Sequence, residues 1–137
     1  MKKILFITIL LHTLLNANST YEVKLYETVI PSIFIKYPIN VYLDKNTQDL
    51  LKNSTKFKVL YHCDESVQLL IGENFDNLPE VCKDKPVFST TYRSFKNNKN
   101  SFGAFYWRKG RPQIKFKTNI LNKYKLILPN ALKKYEK

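Results

Sequence analysis

The chain has 137 residues, of which 44% are apolar and 14% aromatic, with three glycines and six prolines. These values exclude a disordered, collagen-like or low-complexity chain and leave one domain able to bury a core without metals or a dense disulfide framework. The formal charge is +12, which points towards anionic partners.

Met1-Lys2-Lys3 is a positive n-region, Ile4 to Leu15 an apolar run, and Ala17-Asn18-Ser19 a set of small residues at cleavage spacing. This order predicts a secretory signal peptide over residues 1–19. The apolar run is too short to span a bilayer, which takes about 20 residues. Export is therefore expected, to the periplasm in a cell with two membranes, and residues 20–137 form the domain.

Apolar residues from Tyr21 to Ile35 recur at steps of three and four, which predicts an amphipathic helix kinked or divided at Pro31. Ile39 to Leu43 alternates and is rich in β-formers, so a strand is expected. A short helix is predicted over Gln48 to Lys52, then a strand over Phe57 to His62. Val67 to Ile71 is nearly all apolar and ends at Gly72, as a strand buried on both faces does. Leu78 to Lys83 reads as a short helix with Pro79 in its first turn, and Pro86 to Tyr92 as a strand. Asn97 to Ser101 is a polar turn. Phe102 to Trp107 and Gln113 to Lys117 pair as a β-hairpin with a tip of about five residues. Leu121 to Tyr135 closes the chain as a helix interrupted near Pro129. Strands alternating with helices, followed by a hairpin and a helix, define an α/β domain with a mixed sheet flanked by helices, in two or three layers.

Cys63 and Cys82 are the only cysteines. An even count in an exported chain reads as a structural disulfide; two buried free thiols and a redox-active pair are the alternatives. The absence of C-x-x-C spacing argues against thioredoxin-like chemistry, and no second cluster completes a zinc site beside His62 and Cys63.

Charge is segregated along the chain. Thr20 to Tyr92 holds 8 basic and 10 acidic residues, whereas Arg93 to Lys137 holds 13 basic residues and one acid, Glu136. Lys115 and Lys117 alternate with Ile114 and Phe116, so a strand there has a basic and an apolar face. Arg108, Lys109 and Arg111 crowd the hairpin tip beside Trp107. With Arg93 and Lys115 these residues form a candidate surface for a phosphate- or carboxylate-bearing ligand or an acidic partner, since arginine offers paired donors to either group. A solvated basic face of a lysine-rich protein accounts for the same charges. Exported proteins rarely meet nucleic acid, so that partner is not expected.

No nucleophile elbow, P-loop, H-E-x-x-H or glycine-rich dinucleotide loop occurs. His62 is the one histidine of the mature chain, beside a cysteine at a strand end, and Asp64-Glu65 are sequence neighbours that diverge. Neither arrangement supports catalysis, and neither an enzyme nor a cofactor is expected.

Phe102-Gly103-Ala104-Phe105, the return through Ile114-Lys115-Phe116-Lys117-Thr118-Asn119, and the following Leu126-Ile127-Leu128 and Leu132 resemble the end of the YfiR-like family of small periplasmic proteins. That family has a Gly-x-x-Phe strand, a return strand ending Arg-Phe-x-Ile-Asn and a helix with a leucine-rich tail. Here Lys115 stands for the arginine and Thr118 for the isoleucine. Tyr21 to Lys24, Ile39 to Leu43, Cys63 with Val67 to Ile71, and Pro86 to Thr90 resemble the family's earlier segments in the same order. The resemblance implies a periplasmic regulator that holds an inner-membrane diguanylate cyclase inactive, and so acts in cyclic-di-GMP signalling. In that setting a paired Cys63 and Cys82 would be the redox-sensitive element. The alternative class is a one-lobe periplasmic binding module for an anionic small ligand. A third is an envelope protein whose basic face meets anionic lipid or cell-wall polymer.

Overall fold

The computed structural model describes residues 20–137; the expected signal peptide lies outside them. Six strands form one sheet in the order β2-β1-β3-β4-β5-β6. They are β1 (Ile39–Leu43), β2 (Phe57–Leu60), β3 (Leu69–Gly72), β4 (Val87–Ser89), β5 (Ser101–Arg108) and β6 (Arg111–Phe116). The first five are parallel, and β6 turns back antiparallel on β5. The α/β class with a mixed sheet and a closing hairpin-then-helix is therefore the architecture observed.

A first helix, α1, covers residues 20–33. Its buried stripe of Tyr26, Val29, Ile30 and Ile33 packs on Ile39, Val41, Leu69, Ile71 and Phe88. Tyr26 sits edge-on to Phe88 and Phe105, with ring centroids 5.7 and 6.0 Å apart. The expected division at Pro31 does not occur. The helix ends two residues later, and the Phe34 amide still donates to the Ile30 carbonyl, so packing on both sides of Pro31 outweighs its missing donor.

The opposite face carries a second cluster, in which Cys63 and Cys82 pack with Val67, Leu70 and Val87. The two cysteines are joined as a disulfide across a separation of 19 residues. Central β3 is buried at all four positions, as its continuous apolar run requires. With α1 on one face and the disulfide cluster and α2 (Tyr92–Asn97) on the other, the domain has three layers.

Several connections differ from the sequence reading. Residues 45–50 form turns, not a helix over Gln48 to Lys52, because Asp44 draws the chain into a hydrogen-bonded loop. Its carboxylate accepts from Thr47 Oγ1 at 2.7 Å and from the amides of Glu73 at 2.7 Å and Asn74 at 3.2 Å. The helix expected over Leu78 to Lys83 is only a 3-10 turn, Glu80–Cys82, tethered by its disulfide. The strand expected to reach Tyr92 stops at Ser89. Thr91 then caps α2, its hydroxyl accepting from the Ser94 amide at 3.1 Å. The hairpin tip is two residues, Lys109 and Gly110, with φ of 50° and 73°, the paired positive values of a tight two-residue turn. The last helix, α3 (Thr118–Lys123), is short. It stops before Lys125, at φ 55°, and a 3-10 segment, Asn130–Tyr135, follows Pro129. Among the described residues no helix is long and apolar enough to cross a membrane.

Candidate functional site

Parallel strands of an open α/β sheet deliver their carboxyl ends to one edge, where ligands of such sheets bind. Three clefts lie along that edge here. At the switch point between β1 and β3, a cleft of about 360 Å³ is lined by Tyr42, Asp44, Asn46, Gln48, Asn74 and Asp76 among others. Its buried carboxylate, Asp44, is committed to three donors within the fold and acts as a structural clamp.

The largest of these three clefts, about 580 Å³, opens at the ends of β4 and β5 and is lined by Thr90, Thr91, Tyr92, Tyr106, Trp107 and Arg108. Strand alternation explains its walls. Ala104 and Tyr106 pack with Phe95 of α2, so Arg108, two residues on, belongs to that same face. Trp107 turns to the other face, where its indole Nε1 donates to Glu22 Oε1 of α1 at 2.7 Å and its ring lies 6.0 Å from that of Tyr21. Beneath the cleft, Ser89 Oγ lies 2.6 Å from Ser101 Oγ and 3.1 Å from Ser94 Oγ, and Ser101 donates to the Gly103 carbonyl at 3.1 Å. These buried serines satisfy one another and pin α2 to β4 and β5.

Tyr106 is 6% exposed, and its hydroxyl has no hydrogen-bond partner among the described residues. Burial first, then the neighbouring Tyr92, raises its pKa above that of an ordinary phenol, against the opposing pull of Lys137 and Arg108. The group therefore keeps its proton at neutral pH and is a donor without an acceptor. Tyr92 is 48% exposed, with its ring centroid 5.6 Å from that of Tyr106. Lys115 places its ammonium 5.2 Å from the Tyr92 ring centroid. Lys137 is held below the usual lysine range chiefly by Lys115 beside it. Lys117 is also lowered, by burial, as its ammonium donates to the Phe95 carbonyl and lies over the Phe95 ring. The Lys115 and Lys137 ammonium groups and the Arg108 guanidinium thus lie around Tyr92 and the unpaired Tyr106 phenol.

The six residues singled out in the sequence do not form one site. Trp107 and Arg108 line the large cleft. Lys115 borders it through Tyr92. Arg111 pairs in register with Arg108 on the hairpin. Lys109 occupies the turn. Arg93 lines a separate cleft of about 240 Å³ with Glu73, Asn74, Ser94 and Asn97. None of the six forms an ion pair among the described residues, where the two pairs are Lys52–Asp49 and Lys83–Glu80. The expected split of β6 holds: Ile114 and Phe116 enter the core, and Lys115 and Lys117 meet α2 rings on the other side. Tyr92, Tyr106 and Lys137 were not foreseen. The alternation Ala104-x-Tyr106-x-Arg108 was the signal that could have found Tyr106.

His62 is exposed in the bend after β2, in a different part of the sheet from the serine network. Among the described residues no group of His, Cys, Asp or Glu has the arrangement to hold a metal ion. Comparison with protein-family models and with curated proteins finds no match to this chain.

Proposed function

We propose that the chain is an exported, non-enzymatic regulatory protein of the bacterial periplasm that docks on an inner-membrane signalling protein through its basic hairpin face. The observation that carries this reading is the charge: 13 basic residues against one acid from Arg93 onward, four of them on the β5–β6 hairpin, whose arginines have no internal counter-ion among the described residues. Exposed arginines without internal partners suit a carboxylate-rich surface. The resemblance to YfiR-like proteins makes a diguanylate cyclase the expected partner, and the Cys63–Cys82 disulfide supports a redox-sensitive element. The test is a pull-down from detergent-solubilised envelope at low and high salt, with cellular cyclic-di-GMP measured after deletion. Salt-sensitive capture of a membrane-bound cyclase, and a changed cyclic-di-GMP level, are expected. No partner at either salt concentration, with cyclic-di-GMP unchanged, overturns the reading.

A second reading, a one-lobe module for an anionic small ligand, is favoured by the cleft of about 580 Å³ beside Arg108.

A further inference from the structure

We propose that the cleft at the ends of β4 and β5 is a site for a small ligand bearing one oxyanion, carboxylate or phosphate, on a flat apolar body. Its anion-facing donors are the Tyr106 hydroxyl and the Arg108 guanidinium. This rests on the second reading above and adds the ligand's class and the residues that take it.

Three observations converge. Buried polar groups in folded proteins are nearly always paired, and each exception calls for an explanation. The Tyr106 hydroxyl is such an exception, on a residue that lines this cleft. An arriving oxyanion supplies the acceptor that the fold does not.

The second observation is electrostatic. Arg108 lines the same cleft, and the charges of Arg108 and Lys137 both reach Tyr106. Lys137 is itself crowded by Lys115. The neighbouring Lys115 and Lys137 ammonium groups repel, and a bound anion relieves them.

The third is shape. Trp107 borders the cleft with its ring turned to the α1 face, while Tyr92, 48% exposed and in ring contact with Tyr106, offers its ring on the Arg108 side. A flat apolar group finds stacking surface there, and the charged end of the ligand finds Arg108. The side chains around the phenol, Tyr92 and Lys137, lie at the surface, so rotation of either opens a path to it.

The test is calorimetric titration of the purified protein at low salt with phenyl phosphate and benzoate, with benzyl alcohol and inorganic phosphate as controls. One of the aryl anions is expected to bind at least about tenfold more tightly than either control, because the charged bonds and the ring contact each contribute. Tyr106→Phe, which removes only the hydroxyl, should weaken that binding about fivefold, and Arg108→Ala by at least as much. Lys36→Ala, on the exposed segment before β1 and outside the cleft lining, should leave it unchanged. Benzyl alcohol binding as well as the aryl anions, or inorganic phosphate binding as well, overturns the ligand class. Unchanged affinity in Tyr106→Phe overturns the assigned donor. Absence of binding by every probe at millimolar concentration overturns the site. Inorganic phosphate binding as well as the aryl anions, or unchanged affinity in Tyr106→Phe, overturns this inference and leaves the anion-module reading standing, whereas absence of binding by every probe overturns both.

Discussion

Tyr106→Phe separates a hydroxyl kept for a ligand from one that helps hold the fold. Leaving a buried donor unpaired costs about 1–3 kcal/mol, and no described residue accepts from this one. The ring itself packs between Phe95 and Tyr92 and is retained in the variant. The void left by one oxygen costs only a few tenths of a kcal/mol at about 24 cal/mol per Å³. The net expectation, from the lower end of the range, is a gain of about 1 kcal/mol. For a domain of this size that raises the thermal midpoint by about 4 °C. The assay is urea and thermal unfolding followed by circular dichroism, in a buffer free of carboxylates and phosphate. A loss of about 1 kcal/mol or more would refute the reasoning, since it would mean that the hydroxyl makes a stabilising bond in the free protein.

Removing the disulfide, by reduction or by Cys63→Ala with Cys82→Ala, should cost about 3 kcal/mol, from the closed loop of 19 residues' separation; denaturant midpoints measure it. Gly72→Ala should cost about 2–4 kcal/mol in the same assay. A Cβ there would lie 2.4 Å from Asp44 Cγ, at a backbone φ of +153°. Lys137 should titrate below the ordinary lysine range in NMR of isotopically methylated protein, and Lys115→Met should return it towards that range. Because its folded-state pKa lies below its unfolded one, the Lys115–Lys137 pair opposes folding near neutrality. That opposition fades as pH rises through the folded value.

The central strands were legible because their patterns leave little choice. Ile39 to Leu43 alternates with an apolar face, and Val67 to Ile71 is apolar except for Gln68, as suits the middle of a parallel sheet. Helix α2 was not legible. Its six residues follow the β-rich Val87-Phe88-Ser89 without a break in composition, and only the Thr91-to-Ser94 capping bond, a single local interaction, marks the change. The sequence suggests a longer last helix than the structure has because Leu121, Leu128 and Leu132 recur at steps of seven and four, a helical apolar spacing. In the structure they reach the same core from α3, from the chain before Pro129 and from the 3-10 segment, so burial set the spacing and one continuous helix did not. The basic residues of the site were visible as charge, but their grouping was not. It depends on the hairpin register, which sets Arg108 opposite Arg111 and Ala104 opposite Lys115, and on α2 laying Tyr92 against Tyr106.

Trp107 is the one tryptophan of the chain, and its indole N–H bonds to Glu22, 85 residues earlier. One fluorophore therefore joins the first helix, the fifth strand and the rim of the large cleft. Detachment of α1 would release the indole to water and shift its emission to the red, while a ligand entering the cleft would change its intensity with the helix still docked. The molecule thus carries its own optical gauge, which tells occupancy of the cleft apart from unfastening of the amino-terminal helix without any added label.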